Sequence, residues 1–248
     1  MMYNITMILF SDFDGTLYFK KDIEKTCTNF DAIQKWRANG HQFCITTGRS
    51  YKSVSNEFPR IREICDYYIV DSGSIILSKS GDILKAFYFE PKVVSEIIGF
   101  SRSLPVRAIP FYYTPDSENT EHKVKNITKL RLWFEDLSSL SGIKEQLTKR
   151  FPVFAFEQEG VSRYKELNGQ KGFIEIIPIE CGKSHAIKVL LKDNIISNEN
   201  IITIGDGLND YDMVKDFNGF AIKDSSLSSI ERMNTIASVS SLINKLLS

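Results

Sequence analysis

A chain of 248 residues, 42% of them apolar, is long enough to bury one large core or two smaller ones. Its 31 basic and 31 acidic side chains cancel, so nothing electrostatic calls for a nucleic acid or an acidic membrane surface as partner. No apolar run approaches the length of a bilayer span, and the N-terminus shows neither a basic segment nor a cleavage site. The expectation is a soluble, cytoplasmic protein.

In chain order, Ile8-Leu9-Phe10 reads as a buried strand that runs into Ser11-Asp12-Phe13-Asp14-Gly15-Thr16-Leu17. Phe30, Ile33 and Trp36 then recur at helical spacing, with Asn29 as a cap and Gly40 as a stop. Gln42 to Thr46 is a second buried strand, ending in Thr47-Gly48-Arg49-Ser50. A helix from Tyr51 to Phe58 should stop at Pro59. Tyr67 to Val70 is a third strand, ending at Asp71-Ser72-Gly73. Strands alternating with helices predict a parallel sheet with crossover helices.

The pattern then changes. Ile75 to Leu77 and Ile83 to Phe89 flank a turn and predict an antiparallel hairpin. Pro91 suits the first turn of a helix whose apolar face is Val93, Val94, Ile97 and Ile98. Val106 to Tyr113 and Leu130 to Phe134 read as strands, separated by a polar loop from Thr114 to Asn126. A helix near Ser139 to Lys149 and strands at Val153 to Glu157 and Gly172 to Ile177 follow. Parallel character resumes with a helix from Lys183 to Leu191 and a buried strand, Ile201 to Ile204, ending in Gly205-Asp206-Gly207. A short helix from Asn209, a strand at Phe220 to Ile222 and helices near Leu227 and Leu242 complete the chain. The expected organisation is an α/β core from residues 1–80 and 179–248, interrupted by an α+β domain at residues 81–178.

Cys27, Cys44, Cys65 and Cys181 form no C-x-x-C pair and read as small buried residues of a reducing compartment. His41, His122 and His185 are not at ligand spacing, so a zinc site is not expected.

Four polar clusters fall at predicted strand ends or helix starts. If the first strand stays extended, alternation puts Asp12 and Asp14 on one side, and Gly15 then permits a sharp turn. Strand ends of α/β sheets are where ligands bind. Two carboxylates so close repel, so a water-excluded site needs a cation, or a proton on one of them. That divides the labour: Asp12, on a divalent metal, as nucleophile, and protonated Asp14 as general acid. Turn-capping aspartates are the plainer alternative. A calcium loop does not fit, because Leu17 stands where glycine is required. Thr47-Gly48-Arg49 offers a hydroxyl and amide N–H groups to an anion, or Thr47 or Ser50 simply caps the helix.

Gly182-Lys183-Ser184 is not a P-loop, since Ile177 occupies the position of its first glycine. What survives is a lysine at a helix start, a point charge for a phosphate or a solvated surface residue. His185 reads as a helix-surface or packing residue. Asp206 offers an oxygen ligand to a hard cation facing the Asp12 pair, although it also suits a turn, and Asn209 a cap. Asp212 and Asp216 are expected on a solvated helix face. The coincidence of all four clusters carries the functional reading.

Taken together, Asp12-x-Asp14-Gly15-Thr16, Thr47-Gly48-Arg49, Lys183 and Gly205-Asp206-x-x-Asn209-Asp210 resemble the four motifs of the haloacid dehalogenase superfamily of phosphotransferases. The insertion between the second and third motifs is similar to the type IIB α+β cap of its Cof-type subgroup. The resemblance implies a Rossmann-like parallel-sheet core, with Asp12 attacking phosphorus and Asp14 protonating the leaving alcohol, then activating water. It implies Thr47, Gly48, Lys183 and Asn209 around the phosphoryl oxygens. It implies Mg²⁺ on the Asp12 carboxylate, the Asp14 backbone carbonyl and the Asp206 carboxylate, with Asn209 and Asp210 holding the phosphate, Lys183 or metal waters in place.

Ser184, where relatives usually have glycine, and Asp71-Ser72-Gly73, where many have asparagine-glycine, depart from the pattern near the mouth of the site. The expected activity is Mg²⁺-dependent hydrolysis of a small phosphorylated metabolite, a sugar phosphate above all. A phosphosugar mutase and a catalytically silent phosphate sensor remain as alternatives. Arg131, Arg163 and Lys171 of the cap either contact the substrate or are solvated.

Overall fold

The first strand, β1 (Ile8–Asp12), is buried along its whole length, as a central strand of a parallel sheet must be when both faces are covered. The computed structural model describes residues 6–115, 117–119, 125–160, 168–196 and 200–248. The chain divides into two compact units, Met1–Lys85 with Lys183–Ser248, and Ala86–Gly182.

In the first unit β1 is followed by α1 (Ile23–Ala38), β2 (Gln42–Thr46), α2 (Tyr51–Glu57), α3 (Ile61–Ile64), β3 (Tyr67–Val70), β4 (Ile75–Ser78) and β5 (Ile83–Ala86). The second unit contributes α4 (Pro91–Arg102), β6 (Ala108–Tyr113), β7 (Glu118–Asn119), β8 (Lys129–Phe134), α5 (Leu140–Arg150), β9 (Val153–Glu159) and β10 (Gly172–Pro178). The chain then returns with α6 (Lys183–Lys192), β11 (Ile201–Gly205), α7 (Tyr211–Asp216), β12 (Phe220–Ile222), β13 (Thr235–Ile236) and α8 (Val239–Leu247).

The larger sheet has the order β13-β12-β11-β1-β2-β3-β4-β5. Pairing is parallel from β13 through β3 and antiparallel between β3 and β4. The chain leaves β1 toward β2 on one side and returns as β11 on the other. Strand order therefore reverses at β1, and the carboxyl ends of β1, β2 and β11 open on one crevice, the usual ligand position in such sheets. Register fixes this closely, with Asp12 opposite Thr46 and Ser11 opposite Ile204.

The start of α1 differs from expectation. Asp22, not Asn29, is the cap, accepting from the Lys25 amide at 2.9 Å. Residues 23–28 lack an apolar stripe because Thr26 is buried through hydrogen bonds instead, accepting from the Phe19 amide at 2.9 Å. Asn29 lies mid-helix and buried. Its Nδ2 donates to the Thr16 and Leu17 carbonyls (3.3 and 3.2 Å), and its Oδ1 accepts from the Ser240 amide (3.0 Å). It thus ties the loop after β1 to the start of α8. The helix expected near Leu227 is a single 3-10 turn, Leu227–Ser229.

The second unit is an antiparallel sheet of order β7-β6-β8-β10-β9. Alternation sorts its side chains: Tyr112, Leu130, Leu132, Phe134, Ile174 and Ile176 pack with apolar residues of α4 and α5. The opposite parity gathers Phe111, Tyr113, Trp133 and Phe173 into a separate cluster. Arg131, on that same parity, is not solvated: it donates to Glu175 Oε2 from Nε (2.8 Å) and Nη2 (2.6 Å) and to the Tyr113 hydroxyl oxygen (3.0 Å). Lys171 is exposed, and Arg163 lies outside the described residues. The expected loop after β6 carries the short strand β7, which extends the sheet. No helix among the described residues is long and apolar enough to cross a membrane.

Candidate active site

Asp12 ends β1 and is 6% exposed. Lys183, the first residue of α6 and 171 positions away, reaches it with Nζ donating to Asp12 Oδ1 at 2.5 Å. The same ammonium donates to Asp210 Oδ1. Asp210 is almost fully buried, and its other oxygen accepts the amides of Asp206 (3.2 Å) and Gly207 (3.0 Å). This fold-back needs Gly205, where a Cβ would stand 2.5 Å from the Asp210 Cβ.

Asp206 is set from the other side: Thr16 Oγ1 donates to its Oδ1 at 2.7 Å. Gly15 turns at φ +79°, and a Cβ there would come within 2.5 Å of Asp206 Oδ2. Two glycines therefore let three carboxylates converge. Ligand oxygens of Asp12, Asp206 and Asp210 lie within 4.8 Å of one another.

Three carboxylates against one ammonium leave a surplus of two negative charges in a buried place. Burial pushes the Asp12 carboxyl well above its ordinary range; Lys183 opposes this, and the Asp210 and Asp206 carboxylates add to it. Asp206 is raised chiefly by burial, against the Thr16 hydrogen bond. For Lys183, burial favours the neutral amine, but the Asp12 and Asp210 carboxylates outweigh it and hold the ammonium charged. An all-oxygen set with surplus negative charge is the chemistry of a hard divalent cation site. Both oxygens of Asp210 are already engaged by Lys183 and backbone amides, so Asp12 and Asp206 are the carboxylates suited to hold such an ion.

Thr47 is 1% exposed, one residue beyond the Thr46 that pairs with Asp12. Its Oγ1 accepts the Arg49 amide at 3.1 Å, which leaves the hydroxyl proton for an anion. Ser50, not Thr47, caps α2 by accepting from the Ser53 amide. The Thr47-Gly48-Arg49 loop is braced by the Asp71-Ser72 turn. There φ values of 48° and 59° aim successive amides at the Arg49 carbonyl (2.9 Å) and the Thr47 carbonyl (3.0 Å). The departure at residues 71–73 thus supports the second motif from behind. Asn209 is half-buried in the 3-10 turn Leu208–Asp210, its Oδ1 against Gly207.

Asp14 lies apart from this ring. Strand β1 ends at Asp12, so alternation does not carry through to Asp14, which instead bridges to Tyr18. Its carboxylate is 47% exposed and held by Arg49, with Nε to Oδ2 at 2.7 Å and Nη2 to Oδ1 at 2.5 Å. The structure thus brings together Asp12, Lys183, Asp206 and Asp210, sets Thr47 and Gly48 at the adjoining strand end, and turns Asp14 toward Arg49. Sequence reasoning gave no role to Thr16, whose hydroxyl could have been noticed as a donor beside the aspartate pair. It also gave none to Glu57, whose approach to Arg49 no local spacing reveals.

A sequence profile of haloacid dehalogenase-like hydrolases matches residues 9–114 and 107–240, spanning all these positions. The chain belongs to this family. The resemblance seen in the four motifs is thereby confirmed. This haloacid dehalogenase-like hydrolase is 23% identical over 226 residues to a candidate phosphatase of Haemophilus influenzae, covering 87% of this chain and 84% of that one. A HAD/COF-like hydrolase structure from Plasmodium vivax superposes with a TM-score of 0.77 at 21% identity, covering 98% of this chain and 95% of the other. A subclass IIB sugar phosphatase of the superfamily superposes at 0.73 with 15% identity, covering 98% of each chain. At such identities these structures establish the fold, a mixed α/β architecture with a largely parallel sheet.

Proposed function

We propose that this hydrolase is a phosphatase that removes the phosphoryl group of a small phosphomonoester through an aspartyl-phosphate on Asp12. The observation that supports it most is the buried junction of Asp12, Lys183, Asp206 and Asp210, drawn from three distant stretches of chain. A charge surplus of this kind is costly to fold and has a use only if a cation and a phosphoryl group complete it.

In the first step an Asp12 carboxylate oxygen bonds to phosphorus while the bond from phosphorus to the ester oxygen breaks. Asp14 gives its proton to the departing alkoxide, help worth about 10²–10⁴-fold for a poor leaving group. In the second step Asp14 takes a proton from water, the water oxygen bonds to phosphorus, and the bond to Asp12 breaks. Lys183, the Thr47 hydroxyl, the Gly48 amide and Asn209 orient and neutralise the phosphoryl oxygens throughout. Asp210 keeps the Lys183 ammonium in place. The Asp12 and Asp206 carboxylates and the Asp14 backbone carbonyl would hold Mg²⁺, which when bound supplies charge neutralisation for the phosphoryl group.

Under the same reading residues Ala86–Gly182 are the cap domain, to which leaving-group choice is assigned. A sugar phosphate is the proposed substrate class, by analogy with the sugar phosphatase of like fold. The cytoplasm is the proposed location, in keeping with four scattered cysteines, three of them buried. The test is phosphate release from p-nitrophenyl phosphate with Mg²⁺, followed by a screen of metabolite phosphates. Asp12→Asn abolishes turnover if Asp12 is the nucleophile; retained turnover rejects that assignment.

A further inference from the structure

Arg49 sits between two carboxylates that belong to different parts of the core. Two of its nitrogens engage both oxygens of Asp14, a bidentate contact that fixes the plane and the rotamer of that carboxylate. Its third nitrogen, Nη1, stands 3.9 Å from Glu57 Oε2 at the end of α2. The guanidinium also lies over the Phe13 ring at 5.4 Å. The base of the side chain does not move freely, because the Arg49 amide donates to Thr47 Oγ1 and its carbonyl accepts from the Asp71 amide.

Glu57 is prepared as an alternative seat. Tyr18 donates its hydroxyl proton to Glu57 Oε1 at 3.0 Å, and Lys20 Nζ stands 3.4 Å from the same oxygen. The Tyr18 hydrogen bond in particular, with Lys20 and Arg49 beside it, keeps the Glu57 carboxyl below its usual range and hence an anion. Tyr18 is itself coupled to the Asp14 segment: its backbone bridges to Asp14 and its ring stacks on Phe13 at 4.9 Å. Closing the gap from Nη1 to Glu57 takes a movement of roughly 1 Å. While the guanidinium is seated this way, both Asp14 oxygens already have a cationic partner.

We propose that Arg49 is a positioning residue that exchanges between Asp14 and Glu57: seated on Asp14 it pairs with both carboxylate oxygens, and drawn toward Glu57 it leaves one oxygen free to carry a proton taken from solvent while still steering that carboxyl toward the ester oxygen. The inference rests on the phosphatase reading and on Asp14 as proton donor. It adds that Glu57, which does not touch Asp14, takes part in leaving-group departure through Arg49. The ion pairs involved are partly solvated, so their loss leaves folding nearly unchanged.

The test uses the full chain with Mg²⁺ and two substrates, p-nitrophenyl phosphate and an alkyl phosphate whose leaving group needs a proton. Arg49→Met lowers kcat on the alkyl ester by about tenfold, a part of what the acid supplies, with KM and aryl turnover little changed. Arg49→Lys recovers part of that loss. Glu57→Gln, by leaving Arg49 seated on Asp14, produces an alkyl-selective loss of the same kind. In an Asp14→Asn background neither substitution changes the alkyl-to-aryl ratio further, because the effects share one path.

Equal losses on both esters, a raised KM with kcat unchanged, or an unaltered ratio in Glu57→Gln overturns the exchange. Wild-type turnover with alkyl-selective loss in Asp14→Asn, but none in the Arg49 variants, overturns the Arg49 assignment alone. A wild-type protein that hydrolyses neither ester overturns the phosphatase reading, and the Arg49 role with it.

Discussion

Replacing Asp12 by asparagine removes the proposed nucleophile and also one of three carboxylates crowded around a single ammonium. Without a divalent cation the second effect is stabilising. Each unit by which burial lifts the folded Asp12 above its unfolded value of about 3.9 costs the folded state about 1.4 kcal/mol at neutral pH. A chain of this length moves its melting temperature by roughly 2–4 °C per kcal/mol. Asp12→Asn in chelator at pH 7.5 is therefore expected to melt above the wild type, by about 2–4 °C for each kcal/mol of that cost.

The sign of the pH dependence follows from the direction of that shift. A folded-state value above the unfolded one means that the folded protein binds the extra proton. The wild type accordingly loses stability as pH rises through the folded value and pays nothing below the unfolded one. The advantage of Asp12→Asn thus shrinks as pH falls toward about 4. Saturating Mg²⁺ works against that advantage, since a ligand at 100 times its Kd adds about 2.7 kcal/mol to a protein that binds it. Scanning calorimetry across pH, with and without Mg²⁺, reads all three trends. An asparagine variant that melts below the wild type in chelator, or a difference that does not change with pH, refutes the charge argument.

Three other outcomes follow from the same geometry. Lys183→Met strips the counter-charge from Asp12 and Asp210; it should abolish turnover and cost about 3–5 kcal/mol in urea unfolding at neutral pH, less in acid where the carboxylates take protons. Gly15→Ala, at φ +79° with its Cβ against Asp206, should cost about 1 kcal/mol or more and weaken Mg²⁺ stabilisation in the same melting assay. Asp14→Asn should depress kcat on an alkyl phosphate by about 10²-fold or more and on p-nitrophenyl phosphate far less, since the aryl oxygen leaves with little help. Equal depression on both esters counts against the acid.

What the sequence revealed was whatever a local pattern encodes. Buried strands such as Gln42–Thr46 and Tyr67–Val70 announced themselves as apolar runs between turn residues. The start of α1 did not, because Thr26 and Asn29 are buried through hydrogen bonds to Phe19, Thr16, Leu17 and Ser240, partners that periodicity does not contain. The edge strand Thr235–Ile236 is two residues long and carries no pattern at all. At the site, position along the fold was legible while orientation was not. Asp12, Thr47, Lys183 and Asp206 could be placed at strand ends or helix starts from their neighbours.

The direction of Asp14 could not be placed in that way, and the reason is physical. A side chain two residues past the last paired residue of a strand takes its direction from the turn that follows. Here that turn is closed by the Gly15 amide on the Tyr18 carbonyl at 3.0 Å and the Tyr18 amide on the Phe13 carbonyl at 2.7 Å. Closing it stacks Tyr18 on Phe13 and sends the Asp14 carboxylate to Arg49, 35 residues on. The same few hydrogen bonds bury one aspartate of the pair among carboxylates and expose the other to a guanidinium. Two chemically identical side chains thereby acquire opposite electrostatic settings, and the roles proposed for them need a cation to keep Asp12 ionised and a shift of Arg49 to let Asp14 carry a proton.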